Sequence, residues 1–150
     1  MISYPAIIKY DKADKNYLVE FPDLPGCVTF GRTLEEAKQN AEEALSGYLE
    51  SIFDRGFKVP PQKKKKGKNI YYITPEPSIE IPLMLRLIRE QENLTQEKAA
   101  RLLAYSYQNY QKLENLKLSN PTIKTLQKVL GKLGKRLIIK VEEKKKVSRK

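Results

Sequence analysis

The stretch that decides the fold of the second half of this chain reads TQEKAARLLAYSYQNYQKLEN, residues 95–115. Thr95 and Ser106 each precede a run with helical spacing, and both are residue types that cap helix N-termini. The pattern predicts two short helices, joined by a tight turn at Ala104-Tyr105. Four side chains are apolar or aromatic where these helices would meet: Ala99, Leu103, Tyr110 and Leu113.

Further elements are predicted on both sides of this pair. One helix is expected over residues 81–92. Another is expected to run through Leu133, with Asn120 as its N-cap and Pro121 at its first helical position. Residues 136–141 are rich in Leu, Ile and Val, which predicts a strand before a charged tail. Because a lone exposed strand seeks an edge partner, we expect it to pair with its copy in a homodimer or higher homo-oligomer. The expected dimer contacts are Leu137, Ile138 and Ile139.

The first 77 residues predict a second, α+β domain. Alternating and β-rich runs indicate strands. A Thr33–Glu36 capping box opens a helix with one apolar stripe, and Gly56 ends this helix. The order is βββαβ, with one helix packed on one face of the sheet. The predicted strands are Tyr4–Tyr10, Asn16–Phe21, Cys27–Phe30 and Asn69–Thr74.

Charge is distributed unequally between these two halves. Residues 1–77 carry a net charge of +1, which becomes −4 without the five lysines of residues 63–68, whereas residues 78–150 carry +10. Such asymmetry suggests two partners of opposite charge. No apolar run approaches the ~20 residues of a membrane-spanning helix, and Cys27 is the only cysteine. We expect a cytoplasmic protein that makes no membrane contact.

The second of the two short helices has the side chains of a base-reading helix. Gln and Asn can contact adenine in bidentate fashion, and Lys can contact guanine or phosphate. Gln96 lies in the first helical turn, where its amide could reach a phosphate and brace the reading helix. A plain helical bundle with a solvated polar face is the alternative on periodicity alone. The predicted DNA-binding residues are Thr95, Gln96, Tyr107, Gln108, Asn109, Gln111 and Lys112.

Residues 94–103, 106–114 and 120–126 together resemble the helix-turn-helix of Xre-type phage repressors. The resemblance implies that Gln96 contacts phosphate and that the face from Tyr107 to Lys112 reads bases. This chain has alanine at position 104, where the turn in that family commonly has glycine. Alanine disfavours a left-handed backbone, so the departure bears directly on the turn geometry.

Four segments of the first half form one pattern, from hairpin to Pro-Gly loop to capped helix: YPAII (residues 4–8), YLVEFPDLPGC (17–27), GRTLEEA (31–37) and NAEEAL (40–45). Together they resemble the N-terminal domain of HicB-type antitoxins. The resemblance implies a partial RNase H-like fold that binds and covers a small basic HicA-type ribonuclease toxin, and an antitoxin that represses its own operon by binding operator DNA. The net charge of −4 outside the lysine run suits a basic partner. Expected toxin contacts are Tyr17, Glu20, Pro22 and Asp23.

Two other functions stay open on the sequence. A metal-dependent nuclease would need clustered carboxylates, but Asp11, Asp14, Glu20 and Asp23 fall in a turn and at a strand end, and the chain has no histidine. We therefore expect no enzyme, no metal and no cofactor. The other alternative is a stand-alone transcriptional regulator whose first domain senses a small ligand or another protein.

The predicted domains are residues 1–77, which include a lysine-rich loop over 60–68, and residues 78–150, which end in the strand and the charged tail. The lysine run could contact DNA, grip RNA or simply be solvated, and solvation is the ordinary outcome for a charge run.

Overall fold

The computed structural model describes residues 1–143 of the chain. Within them the chain forms two compact units, one over Met1–Glu76 and the other over Pro77–Glu142. Part of the predicted charged tail, residues 144–150, lies outside the described residues.

The first unit contains a four-stranded antiparallel sheet, in the order β3-β2-β1-β4. Strands β1 and β2 form the predicted hairpin, in which Ile8 lies opposite Val19. Because Tyr4, Ile8 and Val19 share one face and are buried, that face forms the core side of the sheet. The strands are β1 (Tyr4–Asp11), β2 (Asn16–Glu20), β3 (Val28–Gly31) and β4 (Ile70–Ile73).

Helix α1 (Leu34–Asp54) lies between β3 and β4 in sequence and completes the predicted βββαβ order. The Thr33 side chain accepts the backbone N–H of Glu36 at 3.1 Å, as the capping box predicts. The Glu36 carboxylate accepts the N–H of Arg32 at 2.8 Å, one residue before the expected position. The buried face of α1 follows the predicted stripe at Ala37, Ala41, Leu45 and Leu49.

The second unit is helical and contains the predicted pair of short helices. Ala99, Leu103 and Tyr110 are fully buried, and Leu113 is nearly so, in one apolar cluster with residues of the flanking helices. The N-caps at Thr95 and Ser106 are confirmed. The helices are α2 (Pro77–Gln91), α3 (Gln96–Leu103), α4 (Tyr107–Glu114) and α5 (Ile123–Lys132).

The turn between α3 and α4 adopts the left-handed geometry that glycine favours, although alanine occupies the position. Ala104 has φ 56° and ψ 39° and forms the C-cap of α3. The next N–H, of Tyr105, donates to the carbonyl of Ala100 at 2.9 Å and closes the helix end. The hydrogen bonds therefore hold Ala104 in a conformation that is strained for a residue with a Cβ atom.

Two predicted helix starts and one predicted strand are wrong. Helix α2 begins at Pro77 rather than at residue 81, because proline fits the first helical position. The N-cap of α5 is Thr122 rather than Asn120, since the Thr122 hydroxyl accepts the N–H of Thr125 at 3.1 Å. The predicted strand over 136–141 is not present, and no strand follows β4 up to residue 143. A strand needs a hydrogen-bonded neighbour, which the described part of this single chain does not supply there.

Candidate functional surfaces

Helix α4 presents a continuous polar face to solvent. The five side chains predicted to read bases are all exposed, as expected from their spacing. The amide of Gln111 donates to the hydroxyl of Tyr107 at 2.9 Å, which orders two members of this face. Contact with DNA stays a prediction for all five. The members are Tyr107, Gln108, Asn109, Gln111 and Lys112.

A buried ionic network lies beneath this face. The Glu114 carboxylate accepts Nε and Nη2 of Arg89 at 2.6 and 2.9 Å, in bidentate fashion. It also accepts the Tyr110 hydroxyl at 2.7 Å and the Gln96 amide at 3.0 Å. The remaining Arg89 nitrogen, Nη1, donates to the Leu94 carbonyl at 2.6 Å. The network ties α2, the start of α3 and the end of α4 together through one carboxylate that is 1% exposed.

The donors of this network keep their protons. The hydrogen bond to Glu114 raises the pKa of Arg89 above its usual range. Burial, together with the hydrogen bond to Glu114, raises the pKa of Tyr110 far above that of an ordinary phenol. Both groups therefore stay protonated at physiological pH, and Glu114 stays surrounded by donors.

Gln96 is the link between this network and the predicted phosphate contact. Its amide nitrogen carries two hydrogens, of which one donates to Glu114. The second remains to donate outward, which suits a phosphate because phosphate oxygens only accept hydrogen bonds. Thr95, also predicted to contact DNA, is exposed and holds the N–H of Lys98 at 3.2 Å as the helix cap.

Sequence reasoning missed Arg89 and Glu114. Their 25-residue separation carries no local signal, since neither helix position requires a charge. One signal was available: Glu114 directly follows Leu113 and lies four residues after Tyr110, so it occupies the apolar face of α4. A carboxylate at a core position indicates a buried partner.

The four predicted toxin contacts do not form one surface. Tyr17 packs edge-on against Tyr10, with ring centroids 5.1 Å apart, on the same side of the sheet as Val19. Glu20 is exposed on the opposite face of β2, and Pro22 is half-buried in the loop that follows. Asp23 is largely buried, with one carboxylate oxygen 3.1 Å from the Lys65 ammonium and the other without a hydrogen-bond partner.

The outer face of the sheet is unusually apolar around Glu20. In the register between β2 and β3, Glu20 lies opposite Val28, and Leu18 lies opposite Phe30. Leu18, Val28 and Phe30 are all exposed large hydrophobic side chains. A group of exposed apolar residues with polar residues at its edge is typical of a protein-binding surface. We call Leu18, Glu20, Val28 and Phe30 the outer-sheet patch; the alternation of the strand sequences offered its signal, because these positions should be polar.

One of the carboxylates considered for a nuclease, Asp11, serves the hairpin turn instead. The Asp11 side chain accepts the backbone N–H of Ala13 at 2.8 Å and closes the hairpin. Among residues 1–143, no group of three or more His, Cys, Asp and Glu side chains is placed to hold a metal ion. Cys27 is buried, and burial raises the pKa of its thiol to about 11.

No helix within the described part of the chain is both long enough and apolar enough to cross a membrane.

Comparison with known proteins assigns both units. Residues 4–73 match the family described as HicB_like antitoxin of bacterial toxin-antitoxin system, and residues 85–139 match the Helix-turn-helix family. Antitoxin HicB 1 of Photorhabdus laumondii is 31% identical over 126 residues, which cover 84% of this chain and 79% of that protein. Antitoxin HicB 2 of the same organism is 29% identical over 134 residues, 89% and 92% of the two chains.

A crystal structure of the N-terminal domain of the Burkholderia pseudomallei antitoxin HicB is also similar. It covers 50% of this chain and 99% of its own, with 22% identity and a TM-score of 0.44. The sequence matches decide the assignment: this chain belongs to the HicB family of antitoxins of bacterial toxin–antitoxin systems, a non-enzymatic family, and carries a C-terminal helix-turn-helix DNA-binding domain.

Proposed function

We propose that this antitoxin neutralises a HicA-type, mRNA-cleaving toxin through its first unit and represses its own operon through its second. The observation that carries the proposal is the polar face of α4, which is held from beneath by the Arg89–Glu114 network. Two activities in one chain also suit the charge distribution, with −4 outside the lysine run in the first half and +10 in the second.

The DNA-binding half of the proposal assigns roles by chemistry. Gln108 and Asn109 are exposed near the N-terminal end of α4, the end that enters the major groove in helix-turn-helix proteins. Their amides offer the paired donor and acceptor that adenine matches. Gln96 and Lys112 supply the phosphate contacts, which set the register but carry no sequence information.

The toxin-binding half of the proposal places a HicA-type toxin on the outer-sheet patch. Three exposed apolar side chains would be desolvated at such an interface, and Glu20 among them gives a negative charge for a basic toxin. Pro22, half-buried beyond the end of β2, extends the same surface. Tyr17 and Asp23 face elsewhere or are engaged within the domain, so they are left out of this interface.

Operator binding by two copies is part of the proposal, because symmetric operators match symmetric dimers. Ile138 and Ile139 are exposed and are the proposed contacts with a second copy. Leu137 packs against the apolar cluster of its own helical unit, so it contributes little to such a contact.

The DNA reading is tested on the duplex upstream of the antitoxin's own gene and on a scrambled duplex. Gln108→Ala and Asn109→Ala should each weaken binding to the upstream duplex by about 1–3 kcal/mol and bring it closer to that for scrambled DNA. Gln127→Ala, which alters an exposed amide on α5, is the matched control and should change neither affinity. Equal losses on both duplexes for the two α4 variants would remove the base-reading role.

The expected toxin is the basic protein encoded next to the antitoxin gene. The test of the toxin contact measures how strongly the antitoxin inhibits mRNA cleavage by that protein. Phe30→Ser in the outer-sheet patch should weaken inhibition by about fivefold or more, since truncating an interface aromatic commonly costs above ~1 kcal/mol. Phe57→Ser is the matched control, because Phe57 is 58% exposed and Phe30 is 59% exposed. Equal inhibition by both variants would move the toxin to another surface. If no neighbouring gene encoded a basic protein that cleaves mRNA, the alternative function, a stand-alone transcriptional regulator, would be favoured.

A further inference from the structure

The lysine-rich segment of the first unit is held against the domain rather than free in solvent. We call residues 60–68 the lysine strap. The Tyr4 hydroxyl donates to the Pro60 carbonyl at 2.6 Å, and the Ser3 N–H donates to the Gln62 side chain at 2.9 Å. Burial, with the nearby charge of Asp23 adding to it, raises the pKa of Tyr4 to about 12, so this donor keeps its proton. Two hydrogen bonds, at Pro60 and at Gln62, therefore hold the start of the strap against the domain.

The middle of the strap is fixed through Lys65. The Tyr72 hydroxyl accepts the Lys65 N–H at 2.7 Å and donates to the Lys65 carbonyl at 2.9 Å, so one phenol binds both main-chain groups. The Lys65 ammonium lies 3.1 Å from the buried carboxylate of Asp23. One lysine of the run thus serves as the internal attachment of the strap.

The other four lysines have no such role. Lys63, Lys64, Lys66 and Lys68 are exposed, and none has a carboxylate within ion-pair distance among residues 1–143. Four uncompensated positive charges therefore lie within six residues of a segment whose main chain is hydrogen-bonded at Pro60 and at Lys65. Beyond the last lysine, the Asn69 carbonyl accepts the Ile8 N–H at 2.9 Å. At ~3.3–3.6 Å per residue, the main chain from Lys63 to Lys68 spans at most about 18 Å. A DNA strand presents a phosphate about every 3.4 Å along the duplex axis.

Attachment distinguishes this segment from an ordinary solvated charge run. A mobile lysine tail loses conformational freedom when it binds, whereas a fixed segment loses less and so binds more tightly for the same charge. Duplex DNA is the polyanion that the chain otherwise engages through α4. Because the strap and α4 belong to one chain, DNA held by one is at a raised effective concentration for the other. RNA has no comparable second contact.

We infer that the lysine strap is a second, sequence-independent binding site for the phosphates of duplex DNA. The inference rests on the proposed operator binding and adds to it a contact in the first unit. It assigns Lys63, Lys64, Lys66 and Lys68 to phosphates. Lys65 holds the strap in place.

The test measures full-length protein binding to a random-sequence duplex of about 30 base pairs across a potassium chloride series from about 50 to about 200 mM. The strap variant replaces Lys63, Lys64 and Lys66 with glutamine. The matched control replaces the exposed Lys9, Lys12 and Lys15 with glutamine, so both variants lower the net charge from +11 by three. The strap variant should lower the slope of log K against log salt by about 2–3, and affinity at about 0.1 M salt by about ten- to hundredfold. The control should change affinity less than about threefold, because exposed charges beyond a ~10 Å Debye length are screened.

Four results would overturn the inference. Equal small losses for strap and control variants would mean that only overall charge matters. A loss confined to single-stranded RNA of the same length would assign the strap to RNA instead. An unchanged slope for the strap variant, while Gln108→Ala still loses preference for the upstream duplex, would refute the strap and leave the proposed function standing. If the unaltered protein bound neither duplex, the proposed function and the strap would fail together.

Discussion

The two units of this antitoxin hold their functional surfaces by opposite means. In the first unit, the sheet rests on α1 through apolar side chains such as Tyr4, Phe21 and Leu45, which are almost completely buried. In the second unit, the reading helix α4 rests partly on a charged pair, Arg89 and Glu114, that is nearly excluded from water. One surface is held by apolar contacts, whereas the other adds one buried ionic group to its apolar cluster.

This difference determines how each unit responds to damage. Apolar burial is roughly proportional to area, so the loss of one contact removes one share of the stability. A buried ion pair behaves otherwise, because removal of one partner leaves a charge that is neither solvated nor compensated. We therefore expect a single substitution at Glu114 to cost the second unit much of its stability. In the first unit, we expect a large loss only where a new side chain would collide with main-chain atoms that cannot move away.

The largest expected effect is that of Glu114→Ala. It leaves the Arg89 guanidinium buried without its carboxylate and removes the partner of Gln96 and Tyr110. We expect the second unit to lose about 3–5 kcal/mol of stability. Hydrogen exchange followed by mass spectrometry should show loss of protection over residues 77–142 and unchanged protection over residues 1–76.

The control for this prediction replaces both charges. The double variant Arg89→Leu with Glu114→Leu removes the uncompensated charge and fills the space with apolar atoms, so it should recover much of the lost stability. It should not recover DNA affinity fully, because the Gln96 amide still lacks the acceptor that orients it. If the single and double variants were equally unstable, the charge would not be the cause.

In the first unit, the largest expected effect is that of Gly31→Ala. A Cβ atom at Gly31 would lie 2.3 Å from the backbone nitrogen of Ala37 and 2.6 Å from its Cα, where β3 meets the first turn of α1. Since these are main-chain atoms, the helix itself must shift, and we expect a loss of about 1–3 kcal/mol in thermal or urea unfolding.

Gly47→Ala is the matched control for this contact. Gly47 lies on the exposed side of α1 with nothing within 4 Å of an added Cβ. Alanine there should stabilise the helix by about 0.5–1 kcal/mol, because glycine is costly in a helix interior. If both substitutions acted in the same direction, close approach of β3 and α1 would not limit this position.

The sequence predicted what local patterns decide and missed what tertiary contacts decide. Strand alternation, helical spacing and the caps at Thr33, Thr95 and Ser106 each involve residues a few positions apart, so they could be read directly. The buried pair of Arg89 and Glu114 joins two helices across 25 residues, and no local pattern specifies such a pairing.

The predicted surfaces divide in the same way. The exposed face of α4 follows from the period of one helix, and its five residues are exposed as predicted. The toxin contacts were chosen by closeness in sequence, but Tyr17 and Glu20 are three residues apart on one strand and must point to opposite faces. Asp23 looked like a loop carboxylate, and its attachment to Lys65 depends on a segment 42 residues later.

The smallest expected effect concerns backbone strain at Ala104 in the second unit. It tests whether this strain changes the stability of the unit independently of the Arg89–Glu114 network. Ala104 has a left-handed backbone, and its side chain is exposed, so glycine would relieve the strain without removing a packed group. The relief of ~1–2 kcal/mol is offset in part by the greater freedom of glycine in the unfolded chain. We expect Ala104→Gly to stabilise the second unit by about 0.5–1 kcal/mol, measured by urea unfolding, with DNA affinity unchanged.

Gly134→Ala is the mirror control, because Gly134 has φ 70° with no atom near an added Cβ, and it should destabilise by a similar amount. If Ala104→Gly stabilised the protein equally in the Glu114→Ala background, the turn and the network would be independent. A smaller gain there would mean that the network holds the turn in its strained conformation.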